Sequence, residues 1–324
     1  MNAATSCPTT PHLNADLFNA AFPVFLLILA GFAMERFRLL PEGLDTGVMQ
    51  LAIKLLVPCL ILDKVIGSDA LSHVPTVFFA FGLGLTHVAI GLVVCFALAP
   101  MLGLKKGLGL RTFALSTAIQ NYGFIALPVL GALFGEGPMA MLFLYGMGVE
   151  IGTWILGVGV LAGFKGGNWK KAINPPVLSV AVGLTLHYSG VAPHIPTVVS
   201  HSMEWIGGCA VPMCLFAIGM TISQQSRSGD WQLRWPTVLG ACVLRLALLP
   251  ILILASAKFL PIAIELKQVL LVQASMPAAI FPIVLARMYN GHAPTAIQIV
   301  VTTTAICAGT MPLMIYWARP WLGI

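Results

Sequence analysis

Residues 115–135 read LSTAIQNYGFIALPVLGALFG, and residues 270–289 read LLVQASMPAAIFPIVLARMY. Both are apolar runs, yet each carries proline deep inside: Pro128 in the first, Pro277 and Pro282 in the second. Proline removes a backbone donor and clashes with the preceding turn, so a helix kinks or breaks there. Polar residues sit just ahead of these prolines: Gln120, Asn121 and Tyr122 in one run, Gln273 and Ser275 in the other. Where lipid surrounds a helix, such a break is tolerated only if the freed groups line a protein cavity or meet a ligand.

The rest of the chain says that lipid does surround it. Of 324 residues, 58% are hydrophobic and 9% charged, against roughly 25% charged in a soluble domain. That excludes a soluble enzyme with one or two anchors and leaves an all-α polytopic membrane protein. A bilayer core about 30 Å thick needs about 20 apolar residues per helix. That ruler gives ten transmembrane candidates near 17–34, 45–63, 74–100, 108–134, 138–163, 172–189, 197–222, 235–258, 266–288 and 294–317. The quoted runs belong to the fourth and ninth. No stretch alternates as a barrel strand does.

The net charge of +6 is spread over short loops rather than gathered in a phosphate-binding stripe, so no nucleic-acid partner is expected. One set of loops holds eleven basic residues, from Arg36 and Arg38 to Arg287; the opposite set, with both ends, holds only Lys64, Lys258, Lys267 and Arg319. The positive-inside rule puts the eleven in the cytoplasm and both termini outside, in a cell (inner) membrane. The first sixteen residues carry no Lys or Arg, so the first apolar run is expected to be a retained span rather than a cleaved signal. Six of the seven cysteines lie in apolar runs without ligand spacing, so neither a disulfide frame nor a metal site is expected.

The two proline-bearing runs also stand in register. A shift of 154 residues places Pro58 on Pro212, Pro128 on Pro282 and Gly137 on Gly291; Pro23 meets Pro176 at a shift of 153. The expected organisation is two five-helix repeats, residues 1–164 and 165–324. Five is odd, so the second copy is inverted. Inverted repeats with interrupted helices at matching positions point to a secondary transporter whose site lies at the repeat interface. A duplicated scaffold used as a channel or receptor is the other reading of the same pattern.

After each break a half-helix restarts near Pro128 or Pro282, with unpaired N–H groups and a positive dipole end. Proline suits such a first turn. Two such ends make a site for a carboxylate without any charged side chain. Asn121 could donate to it, with Gln120, Tyr122, Gln273 and Ser275 as further candidates. Alternatively, Asn121 and Gln273 simply satisfy the carbonyls freed by the kinks.

At these residues the chain resembles the auxin efflux carrier family, which includes bacterial malonate/malate-type carriers and the plant PIN proteins. QNYGFIALPVL is similar to the family's Asn-Tyr-Gly-Phe…Pro pattern in the fourth helix, QASMPAAIFPIVLARMYN to its ninth-helix pattern, and RLALLP from Arg245 to Pro250 to its eighth. The resemblance implies a bile-acid-symporter-like, NhaA-like fold with a scaffold part and a transport part in which helices four and nine cross. It also implies a homodimer that moves small organic anions, mono- or dicarboxylates such as malonate, malate or auxin-like acids, by alternating access with an elevator-like motion. The substrate site it implies is Asn121 with the backbone around Pro128, Pro277 and Pro282. The loop between the fifth and sixth spans, FKGGNWKKA, is short, as in bacterial-type members.

Charges within spans are candidates for function because each is costly unless paired or hydrated. Arg245 needs an acceptor, for which Glu150 is a candidate; Asp63 and Lys64 could take part in coupling or gating. Lys54 is expected to snorkel, His87 to be a satisfied packing residue, and Glu204 to be interfacial. No Walker loop, HExxH, GxSxG or Rossmann fingerprint occurs, so neither a pump nor an enzyme is expected. No cofactor is implied; proton coupling, sodium coupling and uniport all stay open. The reading is a carrier of small organic anions, with a ligand-sensing receptor or a channel on the same fold as alternatives.

Overall fold

A computed structural model describes residues 10–41, 43–71, 74–104, 109–162, 173–227 and 234–324. The described residues are helical throughout, with no strand longer than a single isolated bridge. In chain order the helices are α1 (Thr10–Arg36), α2 (Leu44–Leu51), α3 (Val57–Val65), α4 (Val74–Leu98), α5 (Leu110–Ala118), α6 (Ala126–Phe134), α7 (Met139–Gly152) and α8 (Val158–Ala162). They continue as α9 (Pro175–Tyr188), α10 (Thr197–Gly208), α11 (Ala210–Arg227), α12 (Trp235–Val243), α13 (Leu249–Phe259), α14 (Ile264–Ala274), α15 (Phe281–Met288) and α16 (Ala293–Leu322).

Among the described residues, five helical stretches are long and apolar enough to cross a membrane: Val74–Leu102, Met139–Leu161, Thr197–Gln224, Trp235–Phe259 and Ala293–Leu322. With a body this apolar, the protein is a multi-pass membrane protein. Each of the ten apolar runs coincides with helix, but several are not continuous. Wide π-helical turns, Ala52–Leu56 and Leu244–Leu248, separate α2 from α3 and α12 from α13. Pro58 and Pro250 follow them. Each proline has no N–H to return to the preceding turn, and the helix absorbs the misfit by taking in an extra residue. A third such turn, Thr153–Gly157, joins α7 to α8 with no proline beside it. The sequence pattern signalled none of these turns.

Apolar helices cannot tell core from lipid by hydrophobicity, so small residues decide which face packs. On α4, Ala80, Gly84, Gly91 and Cys95 are buried, whereas Phe78, Phe79 and Val93 face outward. A Cβ on Gly84 would sit 2.1 Å from the Tyr145 carbonyl oxygen, and one on Gly148 would sit 2.1 Å from that of Phe81. Thus α4 and α7 touch backbone to backbone. Gly31 and Gly219 do the same for α1 and α11, with hypothetical Cβ atoms 2.0 and 1.9 Å from the carbonyl oxygens of Phe216 and Ile28.

The helices pack in two groups. α1 packs along α11, α3 against α9 and α10, and α2 against α11. In the other group α4 packs on α7 and α5, α13 on α14, and α16 on α12 and α5.

Candidate functional site

The two proline-bearing runs break where their sequence says they should. α5 stops at Ala118, Ile119 is extended (φ −91°, ψ 115°), and helix resumes at Ala126 with Pro128 in its first turn. α14 stops at Ala274, and α15 resumes at Phe281 with Pro282 next. The unwound segments cross and hydrogen-bond as a minimal antiparallel ladder. Asn121 N donates to Pro277 O (2.8 Å) and Ala279 N to Ile119 O (2.9 Å), bridging Gln120 and Ala278. These bonds satisfy backbone groups that the breaks set free inside the apolar body.

An extended segment sends successive side chains to opposite sides. Asn121 and Tyr122 line a cavity of about 540 Å³ between the two helix groups, bounded by α2–α3, α7, α9, α11 and α15. Asn121 is 4% exposed, and its side-chain carbonyl accepts from Ile125 N at 3.5 Å, at the mouth of α6. Gln120 points the other way. Its amide donates to the Tyr145 hydroxyl (2.7 Å) and its carbonyl accepts from Arg245 Nη1 (3.4 Å).

Arg245 is the largest fully buried side chain among the described residues. It does not pair with Glu150, contrary to the sequence-based candidate. Nη1 donates to the Ala118 carbonyl (3.1 Å), the last turn of α5, while Nε and Nη2 find no partner among the described residues. The guanidinium therefore caps the negative end of a broken half-helix. A void of about 10 Å³ beside it is lined by His87 and Gln120. His87 is satisfied as expected, bonded to the Tyr145 hydroxyl (3.1 Å) and Ser256 Oγ (3.0 Å).

Glu150 lies instead in the large cavity, on the opposite face of the ladder. Its Oε1 accepts from Trp154 Nε1 (2.9 Å) and Asn174 Nδ2 (2.7 Å), and its Oε2 accepts from the Tyr122 hydroxyl. Asn174 also caps α9, accepting from Val177 N at 3.1 Å. Trp154 and Asn174 escaped the sequence reading; a glutamate four residues before a tryptophan in one span was the signal available.

The remaining candidates surround the site without entering the cavity. Gln273 donates to the Tyr122 carbonyl (2.9 Å), and Ser275 Oγ to the Val272 carbonyl (2.7 Å). Both bond to carbonyls near the breaks. Pro128, Pro277 and Pro282 shape the crossing. Asp63 and Lys64 lie at the far end of α3, just past the apolar stretch, where Lys64 Nζ meets Asp63 (3.0 Å) and Glu136 (2.6 Å). Burial would lower the Lys64 pKa, but these two carboxylates raise it above its ordinary value. At the opposite, basic end the cavity reaches Asp45, which accepts from Thr221 Oγ1 (3.3 Å), and Arg287. Lys54 is exposed, in keeping with snorkelling.

The profile of a family described as membrane transport protein matches residues 16–166 and 160–315. The chain is 25% identical over 279 residues to an uncharacterized transporter of Methanocaldococcus jannaschii, covering 82% of this chain and 87% of that one. It is 23% identical over 208 residues to an uncharacterized transporter of Methanothermobacter thermautotrophicus, covering 62% and 66%. It is 27% identical over 128 residues to auxin efflux carrier component 8 of Arabidopsis thaliana, covering 38% and 34%.

Proposed function

The chain belongs to this membrane transport protein family, the auxin efflux carrier family, and we propose that it is a secondary carrier of small organic anions, mono- or dicarboxylates. One observation carries the reading: Asn121, on an unwound segment at the restart of α6, lines a cavity of about 540 Å³ between two helix groups. That volume lies within the range of small-molecule sites. A half-helix start and a side-chain amide are suited to a carboxylate.

Several observations support the finer reading of ten spans in two inverted repeats. The packing of α1 with α11 and of α9 with α3 corresponds under the 154-residue shift, as do the two breaks. A crossing that holds together within one helix group, with the cavity at its border, suits a carrier whose transport part slides against a scaffold. In this reading the cavity opens to the cytoplasm, since the basic loops flank its Asp45–Arg287 end.

Purified protein in liposomes is expected to accumulate labelled malonate. Asn121→Ala is expected to cut initial uptake at least tenfold while leaving expression and melting temperature near those of the parent. Unchanged uptake by that variant would remove Asn121 from the site.

A further inference from the structure

Glu150 is a cavity carboxylate with no cationic partner: among the described residues no Lys, Arg or His forms an ion pair with it, and its three partners are neutral donors, whereas Asp45, the cavity's other carboxylate, lies at the basic end and accepts from Thr221 alone. Three donors converging on two oxygens describe an ionised acid, which can only accept. Such a group repels the anion that the cavity is proposed to hold, and it does so at low dielectric, where the repulsion is strong. A fixed structural charge is a poor choice there.

The partners resolve the conflict. Oε1 is held by Trp154 and Asn174, whose N–H groups can only donate; Oε2 faces a hydroxyl, which can donate or accept. If a proton binds Oε2, the Tyr122 hydroxyl turns to accept it, and the two bonds to Oε1 stay in place. Both protonation states are fully hydrogen-bonded. In the protonated state the Tyr122 O–H is released from Glu150 and can donate to a ligand beside Asn121, its neighbour on the same cavity wall.

We propose that Glu150 is a proton-binding site that couples one proton to each substrate molecule carried, with Tyr122 as the positioning residue that converts the bound proton into a donor for the anion. This rests on the carrier reading above. The proton comes from water in the cavity and forms an O–H bond on Oε2. It leaves to water on the other side, with no change of oxidation state.

The other titratable and charged groups of the cavity are Asp45 on α2 and Arg287 on α15. Of the elements packed against α7, α4 brings His87, already bonded to Tyr145 and Ser256, and Cys95; α3 brings Cys59 and the Lys64–Asp63 pair, whose lysine also meets Glu136; and the short turn Asp69–Leu71 brings Asp69. α14 carries Glu265 and Lys267 in its first turn, α9 carries His187 and Tyr188 in its last, and α6 carries none.

The test uses full-length protein in liposomes with labelled malonate, an internal pH dye, and infrared spectroscopy of the same samples across a pH titration. The parent is expected to lose uptake by about tenfold per pH unit on the alkaline side of the titration, to acidify the lumen as malonate enters, and to show a carboxylic-acid C=O band at low pH. Glu150→Gln, an isostere that donates permanently to Tyr122, is expected to give a flat pH profile without proton flux and to lack the band. Tyr122→Phe is expected to keep the band and lose uptake at every pH. A parent-like pH profile in Glu150→Gln overturns the proposal, as does full uptake in Tyr122→Phe. If the parent moves no malonate at any pH, the carrier reading fails for that substrate. The infrared band then decides separately: its loss in Glu150→Gln supports a proton site, and its persistence overturns one.

Discussion

Single residues near the crossing are sorted by which way an extended backbone turns them. Gln120 goes to Arg245 and Asn121 to the cavity, although they are neighbours. At the basic end of the molecule another pair offers a measurement free of the membrane. Glu35, just beyond the apolar part of α1, meets Arg227 Nη2 at 2.5 Å. Burial raises the Glu35 pKa, but hydrogen bonds from Arg227 and Ser223 and the charges of Arg227 and Arg36 outweigh it and hold it below 4.5. A depressed carboxylate stabilises the fold above its unfolded pKa, and that contribution is lost as pH falls through the folded value. Melting temperature in detergent should therefore drop on acidification below about pH 4.5. Arg227→Gln should flatten that drop and cost up to about 1 kcal/mol near neutrality, as expected for a peripheral pair.

Elements meet through glycine. Gly82 and Gly84 are two residues apart on α4 and so point to opposite faces: a Cβ on Gly84 strikes the Tyr145 carbonyl at 2.1 Å, while one on Gly82 meets nothing within 4 Å. Gly84→Ala should cost about 1–3 kcal/mol by forcing α4 from α7, read as a fall of several degrees in melting temperature. Gly82→Ala should be neutral or slightly stabilising, because alanine favours helix. Sequence alone does not separate Gly84 from Gly82, because both lie in the same apolar span. It could not assign Gly31 and Gly219, because contact between distant helices leaves no local spacing. The same divide runs through the site. Pro128, Pro277 and Pro282 announced the breaks, since proline acts on its own turn. The partners of Glu150 and Arg245 were not legible: Asn174 sits 24 residues from Glu150, and Ala118 sits 127 from Arg245. Those pairings are fixed by tertiary packing.

At the scale of the whole molecule, the helix groups meet along several helix pairs, and polar side chains join them at Lys64 to Glu136 at one end and at Glu150 to Asn174 nearer the other. Sliding of one group against the other must break the first. In a cysteine-free background, Lys64→Cys with Glu136→Cys, joined by a reducible bis-methanethiosulfonate linker long enough to replace the two side chains, should lose malonate uptake by about tenfold or more and recover it with reductant. Uptake indifferent to the cross-link would argue for a fixed framework. The crossing itself carries a different consequence. Its ladder, Asn121 N to Pro277 O and Ala279 N to Ile119 O, is built from main chain alone. The ladder constrains only the backbone at position 121, and the Asn121 side chain adds a single bond from Ile125 N, so a substitution there leaves the crossing itself in place. Selection for a new cargo can therefore act on one or two positions while the architecture stays still, which is a physical basis for a lineage that diversifies its chemistry faster than its shape.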